Sequence, residues 1–171
     1  MEATVRVLND LEAAGVVRRY AIAGAMGANF YIEPTATEDL DVLVLLPAAP
    51  ASPDVLRPIY RFLVDERGFA AERECVVVAG IPVQFLEVFD PLTTEGLDEA
   101  VEFPVGGTRA RVLRIEHLMA IMLQVGRPKD HVRLALAIEQ ADWDRDRFRA
   151  VIGRHGLRAR WAAFRRRFNH G

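Results

Sequence analysis

The chain has 171 residues, 51 % hydrophobic and 27 % charged, with a formal net charge of −2. These values suit one globular unit and exclude a disordered chain. No apolar run approaches the ~20 residues of a membrane helix, and Glu2, Asp10 and Glu12 stand where a leader would be basic and apolar, so a cytoplasmic protein is expected.

In chain order, Val5, Leu8 and Leu11 predict a helix over 4–14, stopped by Gly15. Residues 20–23 read as a short buried strand entering a turn at Gly24, and small residues over 25–32 predict a second short helix that ends before Pro34. A polar loop leads into a strand over 39–46 that is apolar on both faces beyond Asp41, the pattern of a central strand. After a loop over 47–53, Ser52 or Asp54 can cap a helix over about 54–67, with Leu56, Ile59, Tyr60 and Leu63 inward.

Apolar runs at 75–79 and 81–88 around Gly80 predict a hairpin. Asp90-Pro91 opens a loop before a short helix over 94–100. Runs at 101–105 and 108–113 flank Gly106-Gly107, the pair that a two-residue hairpin turn favours. From Ile115 the pattern turns helical, over 115–125, 128–140, 144–155 and 157–168. Strands first and helices last predict an α+β fold, with 1–113 as an α/β core and 114–171 as a helical region packed on it, one structural unit in all.

Charge and side-chain type narrow the chemistry. Residues 142–171 hold nine arginines against Asp142, Asp144 and Asp146, a local +6 that leaves −8 elsewhere. Arginine outnumbers lysine 21 to 1, so the single Lys129 stands out. Cys75 is alone and lies in an apolar run, which rules out a disulfide framework, and His117, His131, His155 and His170 lack metal-ligand spacing.

Asp39 and Asp41 share one face of a strand, because alternate residues point the same way. Two carboxylates that close repel by about 4 kcal/mol at an effective dielectric of about 20 unless a proton or cation lies between them, and a divalent cation is the expected resident.

The order Ala23-Gly24-Ala25, thirteen residues, then Asp39-Leu40-Asp41-Val42 resembles the signature of the DNA polymerase β-like nucleotidyltransferase superfamily, whose small bacterial members include the abortive-infection type IV toxins. The resemblance implies a nucleotidyltransferase-like mixed β-sheet flanked by helices. It implies that Asp39 and Asp41 ligate Mg²⁺ (or Mn²⁺) and that Gly24 and Ala25 make room for a nucleoside triphosphate. The activity implied is transfer of a nucleoside monophosphate to a hydroxyl on an RNA end, a protein or a small molecule.

One expected element departs from that pattern. The superfamily has a third carboxylate on a neighbouring strand, and here its place falls on Gln84 in Val83-Gln84-Phe85. An amide oxygen ligates a metal weakly and cannot act as a base near neutral pH, so a non-catalytic nucleotide- or partner-binding module is the alternative reading. Glu87 and Glu74 are the possible replacements.

Arg127 and Lys129, around Pro128 at a helix start, form a candidate phosphate site with Asp130 beside them. They resemble a Lys-Asp element of small nucleotidyltransferases whose lysine contacts the triphosphate. Thr35 or Thr37 can hold a phosphate or cap the loop, and Arg114 is a further phosphate candidate. The last helix places Leu157, Trp161, Phe164 and Phe168 on one stripe, with arginines elsewhere. It reads first as an amphipathic helix docked on the domain, and second as a basic surface for RNA.

Overall fold

A strand that is apolar on both faces is stable inside a sheet covered on each side, and the chain supplies one at its centre. In the computed structural model, which describes residues 1–47 and 54–168, β2 (Leu40–Leu45) lies between β1 (Arg19–Ile22) and β5 (Ile81–Glu87). With β3 (Ala70–Glu72), β4 (Cys75–Val78), β6 (Val101–Val105) and β7 (Thr108–Val112) they form a seven-stranded sheet, in the order β3-β4-β5-β2-β1-β7-β6. The β2–β5 and β1–β7 ladders are parallel and the others antiparallel, so the sheet is mixed, as expected.

The helices are α1 (Glu2–Ala13), α2 (Gly24–Ala28), α3 (Arg57–Tyr60), α4 (Pro91–Asp98), α5 (Ile115–Val125), α6 (Pro128–Gln140), α7 (Arg145–Arg154) and α8 (Arg158–Phe168). Period 2 along β2 divides its side chains between two cores. Leu40, Val42 and Val44 pack with Val5, Leu8 and Leu11 of α1 and with Ile59 and Leu63. Leu43 faces the other way, into a cluster that runs through Leu92 and Leu97 of α4, Leu118 and Met119 of α5 and Phe148 of α7 to Phe164 of α8. Asp41 has the parity of Leu43, which turns it toward α5 and α6.

Both expected hairpins are present, closing at Val78↔Ile81 and Val105↔Thr108. Several expectations are corrected. The helix expected over 54–67 is α3 followed by a wider π-type turn over Arg61–Glu66. Asp90-Pro91 starts α4 instead of a loop: the Asp90 carboxylate accepts from the N–H groups of Leu92 and Thr93, and Pro91 occupies the first helical position, where no N–H is needed. No sequence pattern marks the edge strand β3, because its three residues are all exposed and show no alternation. Asp39 stands one residue before β2. Ser52, the alternative cap, and His170 lie outside the described residues. No helix among the described residues is long and apolar enough to cross a membrane.

Candidate active site

β1 ends at Ile22, and the chain must reverse at once into α2. Gly24 makes that reversal with φ at +58°, a conformation that side chains disfavour. The Ala23 N–H donates to the Asp41 carbonyl at 2.9 Å, which ties the turn to β2. A Cβ on Gly24 would overlap the Asp41 carboxylate. The room left by the missing side chain is therefore filled first by Asp41, where the resemblance assigned it to a triphosphate.

Gly24, Ala25, Thr37, Asp39, Asp41, Gln84, Arg127 and Lys129 all line one cleft of about 200 Å³. Asp41 and Gln84 are direct partners in the parallel β2–β5 ladder, so both project to the same side. Gln84 Nε2 donates to Glu74 Oε2 at 3.3 Å across the β4–β5 edge. Glu87, three residues along β5, has the opposite parity and pairs with Val44 instead. Of the two possible replacements, Glu74 is thus the one within reach of Gln84.

No hydrogen-bond donor among the described residues holds the Asp41 carboxylate. Burial pushes its pKa up, the charge of Asp39 pushes the same way, and Arg127, Lys129 and Arg133 pull it back. Thr37 Oγ1 lies 3.2 Å from Asp39 Oδ1 and 3.3 Å from the Asp39 carbonyl, so it orients Asp39 and is itself engaged. Thr35 closes the preceding loop against Asn29 through two 3.0 Å hydrogen bonds and does not line the cleft. Arg114 is the residue before the first turn of α5, with no capping hydrogen bond from its side chain, and also lies outside the cleft.

The cationic wall comes from α6. Arg127 is the residue before its first turn, and Asp130, only 4 % exposed, accepts from the Arg127 N–H at 3.1 Å and from its Nε at 2.8 Å. This clamp fixes the guanidinium at the rim and raises its pKa. Lys129 forms no salt bridge among the described residues. Arg133, which sequence reasoning missed, stands one turn after Lys129 and lines the same cleft. The i, i+4 spacing was the signal that could have found it. Leu118, Ile121, Met122 and Val125 of α5 supply an apolar side.

A second acidic group lies elsewhere. Oxygens of Glu95 and Glu99 and a ring nitrogen of His117 fall within 4.8 Å of one another. Both Glu95 oxygens are taken: His117 Nε2 lies at 3.2 Å, His155 Nε2 at 2.8 Å, and Arg154 donates at 2.5 and 3.2 Å. Arg147 holds Glu99 at 3.1 Å. These contacts, Arg154 foremost, press the Glu95 pKa down to about 2.

No family model matches the chain, and no curated protein matches it in sequence. Solved structures do resemble it. An antigenic nucleotidyltransferase-like protein from Paracoccidioides brasiliensis superposes with a TM-score of 0.58 over 94 % of this chain and 89 % of that one, at 11 % identity. The solution structure of the antibiotic-resistance factor ANT(2'')-Ia gives a TM-score of 0.50 over 100 % of both chains, at 16 % identity. Likeness at such identity speaks for the fold alone, and the fold is nucleotidyltransferase-like.

Proposed function

We propose that the cleft binds a nucleoside triphosphate together with a divalent cation and transfers the nucleoside monophosphate to an acceptor hydroxyl. The observation that carries this reading is the facing of two carboxylates, Asp39 and Asp41, by three cations, Arg127, Lys129 and Arg133, around one cleft. Neither acid forms a salt bridge with a side chain among the described residues, whereas on the far wall Asp130 is the one carboxylate beside three cations, so a metal–triphosphate complex complements both sides.

The donor set suits Mg²⁺ or Mn²⁺: two carboxylates, hard oxygen ligands, leave positions for phosphate oxygens and water. A cation held there would polarise the α-phosphate and neutralise charge on the leaving pyrophosphate. Lys129 and Arg133 stabilise the β- and γ-phosphates, and Arg127, held by Asp130, presents its remaining N–H groups to a phosphate oxygen. The acceptor oxygen forms a bond to the α-phosphorus as the bond to the pyrophosphate oxygen breaks. Gln84 cannot take the hydroxyl proton; Glu74, which accepts a hydrogen bond from Gln84 without itself lining the cleft, is the replacement carboxylate to which this reading assigns that proton.

Gln84 also favours a second reading, a module that binds nucleotide and transfers nothing. Incubation with α-labelled nucleotides, Mg²⁺ and total RNA, protein or small-molecule acceptors separates the two. Label transfer that Asp41→Asn abolishes supports the enzyme. Nucleotide binding without transfer supports the module, and no nucleotide binding overturns both.

A further inference from the structure

Away from the cleft, α7 carries the buried ring of Phe148, which is 1 % exposed. Trp143 and Trp161 flank it at centroid distances of 5.5 and 5.0 Å, inclined to it by 79° and 76°. Each indole plane is therefore nearly perpendicular to the phenyl ring. Both are braced: Trp161 stacks on Phe164 at 5.8 Å and 11°, and Trp143 Nε1 donates to the Ile138 carbonyl at 3.4 Å. The slot between them measures about 190 Å³, room for one planar ring system and too little for a whole drug-sized ligand.

Its rim is formed by Arg145, Arg149 and Arg165, and no carboxylate lines it. All three arginines are exposed. Arg145 lies 5.5 Å over the Trp143 ring, Arg149 pairs with the solvent-facing Asp146 at 3.0 Å, and Arg165 has no ion pair among the described residues. The surrounding segment carries the local +6 of the C-terminal part. The expected docked amphipathic helix accounts for Phe164, which is buried, but leaves Trp161 half-buried beside an open slot.

We propose that this slot binds single-stranded nucleic acid, with one base against the indoles and the flanking phosphates on the arginines. An aromatic face over a basic rim is the chemistry by which unpaired bases are held without sequence preference. An acidic protein surface would satisfy the arginines and leave the indoles unused. A duplex would satisfy the arginines and keep its bases stacked away from them. The slot shares no lining residue with the cleft of Asp41 and Lys129.

The chain contains two tryptophans, and both line this slot, so its intrinsic tryptophan fluorescence reads this site alone. Titration of the intact protein with a single-stranded RNA decamer is expected to quench that fluorescence saturably. With three phosphates engaged, at about 0.7 each, the logarithm of the affinity should fall with that of salt at a slope of about −2. The combined Arg145→Gln, Arg149→Gln, Arg165→Gln variant changes only exposed side chains and should bind at least tenfold more weakly with an unchanged melting temperature. Asp41→Asn should bind the decamer like the parent, which separates this site from the cleft. Absence of quenching, quenching unaffected by the triple variant, or equal competition by polyglutamate, inorganic polyphosphate or duplex RNA would overturn the proposal.

Discussion

Around α5 the chain gathers carboxylates twice, and the two groups dispose of their charge in opposite ways. At Glu95 every oxygen meets a donor, and its pKa falls to about 2. At Asp41 no donor arrives, burial and Asp39 act together, and the pKa rises. Interatomic distance alone would nominate Glu95, Glu99 and His117 as a metal site. The inventory of partners nominates Asp39 and Asp41, because a carboxylate already neutralised by Arg154 gains little from a further cation. A cluster whose charge is settled within the protein is a clamp, and one left unsettled at a cleft is prepared for a ligand.

The largest test of that contrast is Asp41→Asn. It should lower nucleotidyl transfer by about 10³-fold, the equivalent of about 4 kcal/mol of lost charge stabilisation. The same change should raise the melting temperature of the metal-free protein, since it removes a charge that burial disfavours. A metal-free variant less stable than its parent would break the contrast. Glu95→Gln should do the reverse, costing about 2 kcal/mol in urea unfolding by leaving Arg154 and His155 poorly paired, with nucleotide affinity unchanged.

Smaller in effect is Lys129→Met, which should weaken triphosphate binding about tenfold and leave stability alone, as calorimetric titration and melting would show. Smallest is the dependence of stability on pH, which separates the clusters by sign. His117 is depressed from the usual 6.5 by burial, so the stability it confers is complete above 6.5 and declines as pH falls below it. Glu95 follows below 4.5, its contribution fading as pH approaches 2. Asp41, raised above 3.8, acts oppositely, relieving strain in the metal-free protein as it takes up a proton. Urea midpoints between pH 7 and 4 should therefore fall less steeply without Mg²⁺ than with it.

Much of this was legible from local chemistry. Gly24, Asp39 and Asp41 announce themselves because a turn glycine and two acids of the same strand parity are adjacent features of one stretch. The Gly106-Gly107 hairpin and the bounds of α5 and α6 are equally local. Gln84 opposite Asp41 depends on the β2–β5 register, a pairing across more than forty residues that only the resemblance supplied. Arg133 needed no more than one helical turn counted from Lys129. The tryptophan slot was beyond such counting: Trp143 precedes α7, Trp161 sits in α8, and their common packing on Phe148 of α7 brings them together. β3 left no trace, because an edge strand of exposed Ala-Ala-Glu buries nothing that a pattern could record.

α6 has a further consequence as a mechanical part. Its first turn bears the cations of the cleft, and Ile138, about 14 Å along its axis from Lys129 at 1.5 Å per residue, borders the tryptophan slot. A helix is stiff over that length, so a shift along its axis at one end is delivered to the other. Whatever factor a bound nucleotide imposes on occupancy of the slot, occupancy of the slot must return to the nucleotide, because linkage between two sites is reciprocal.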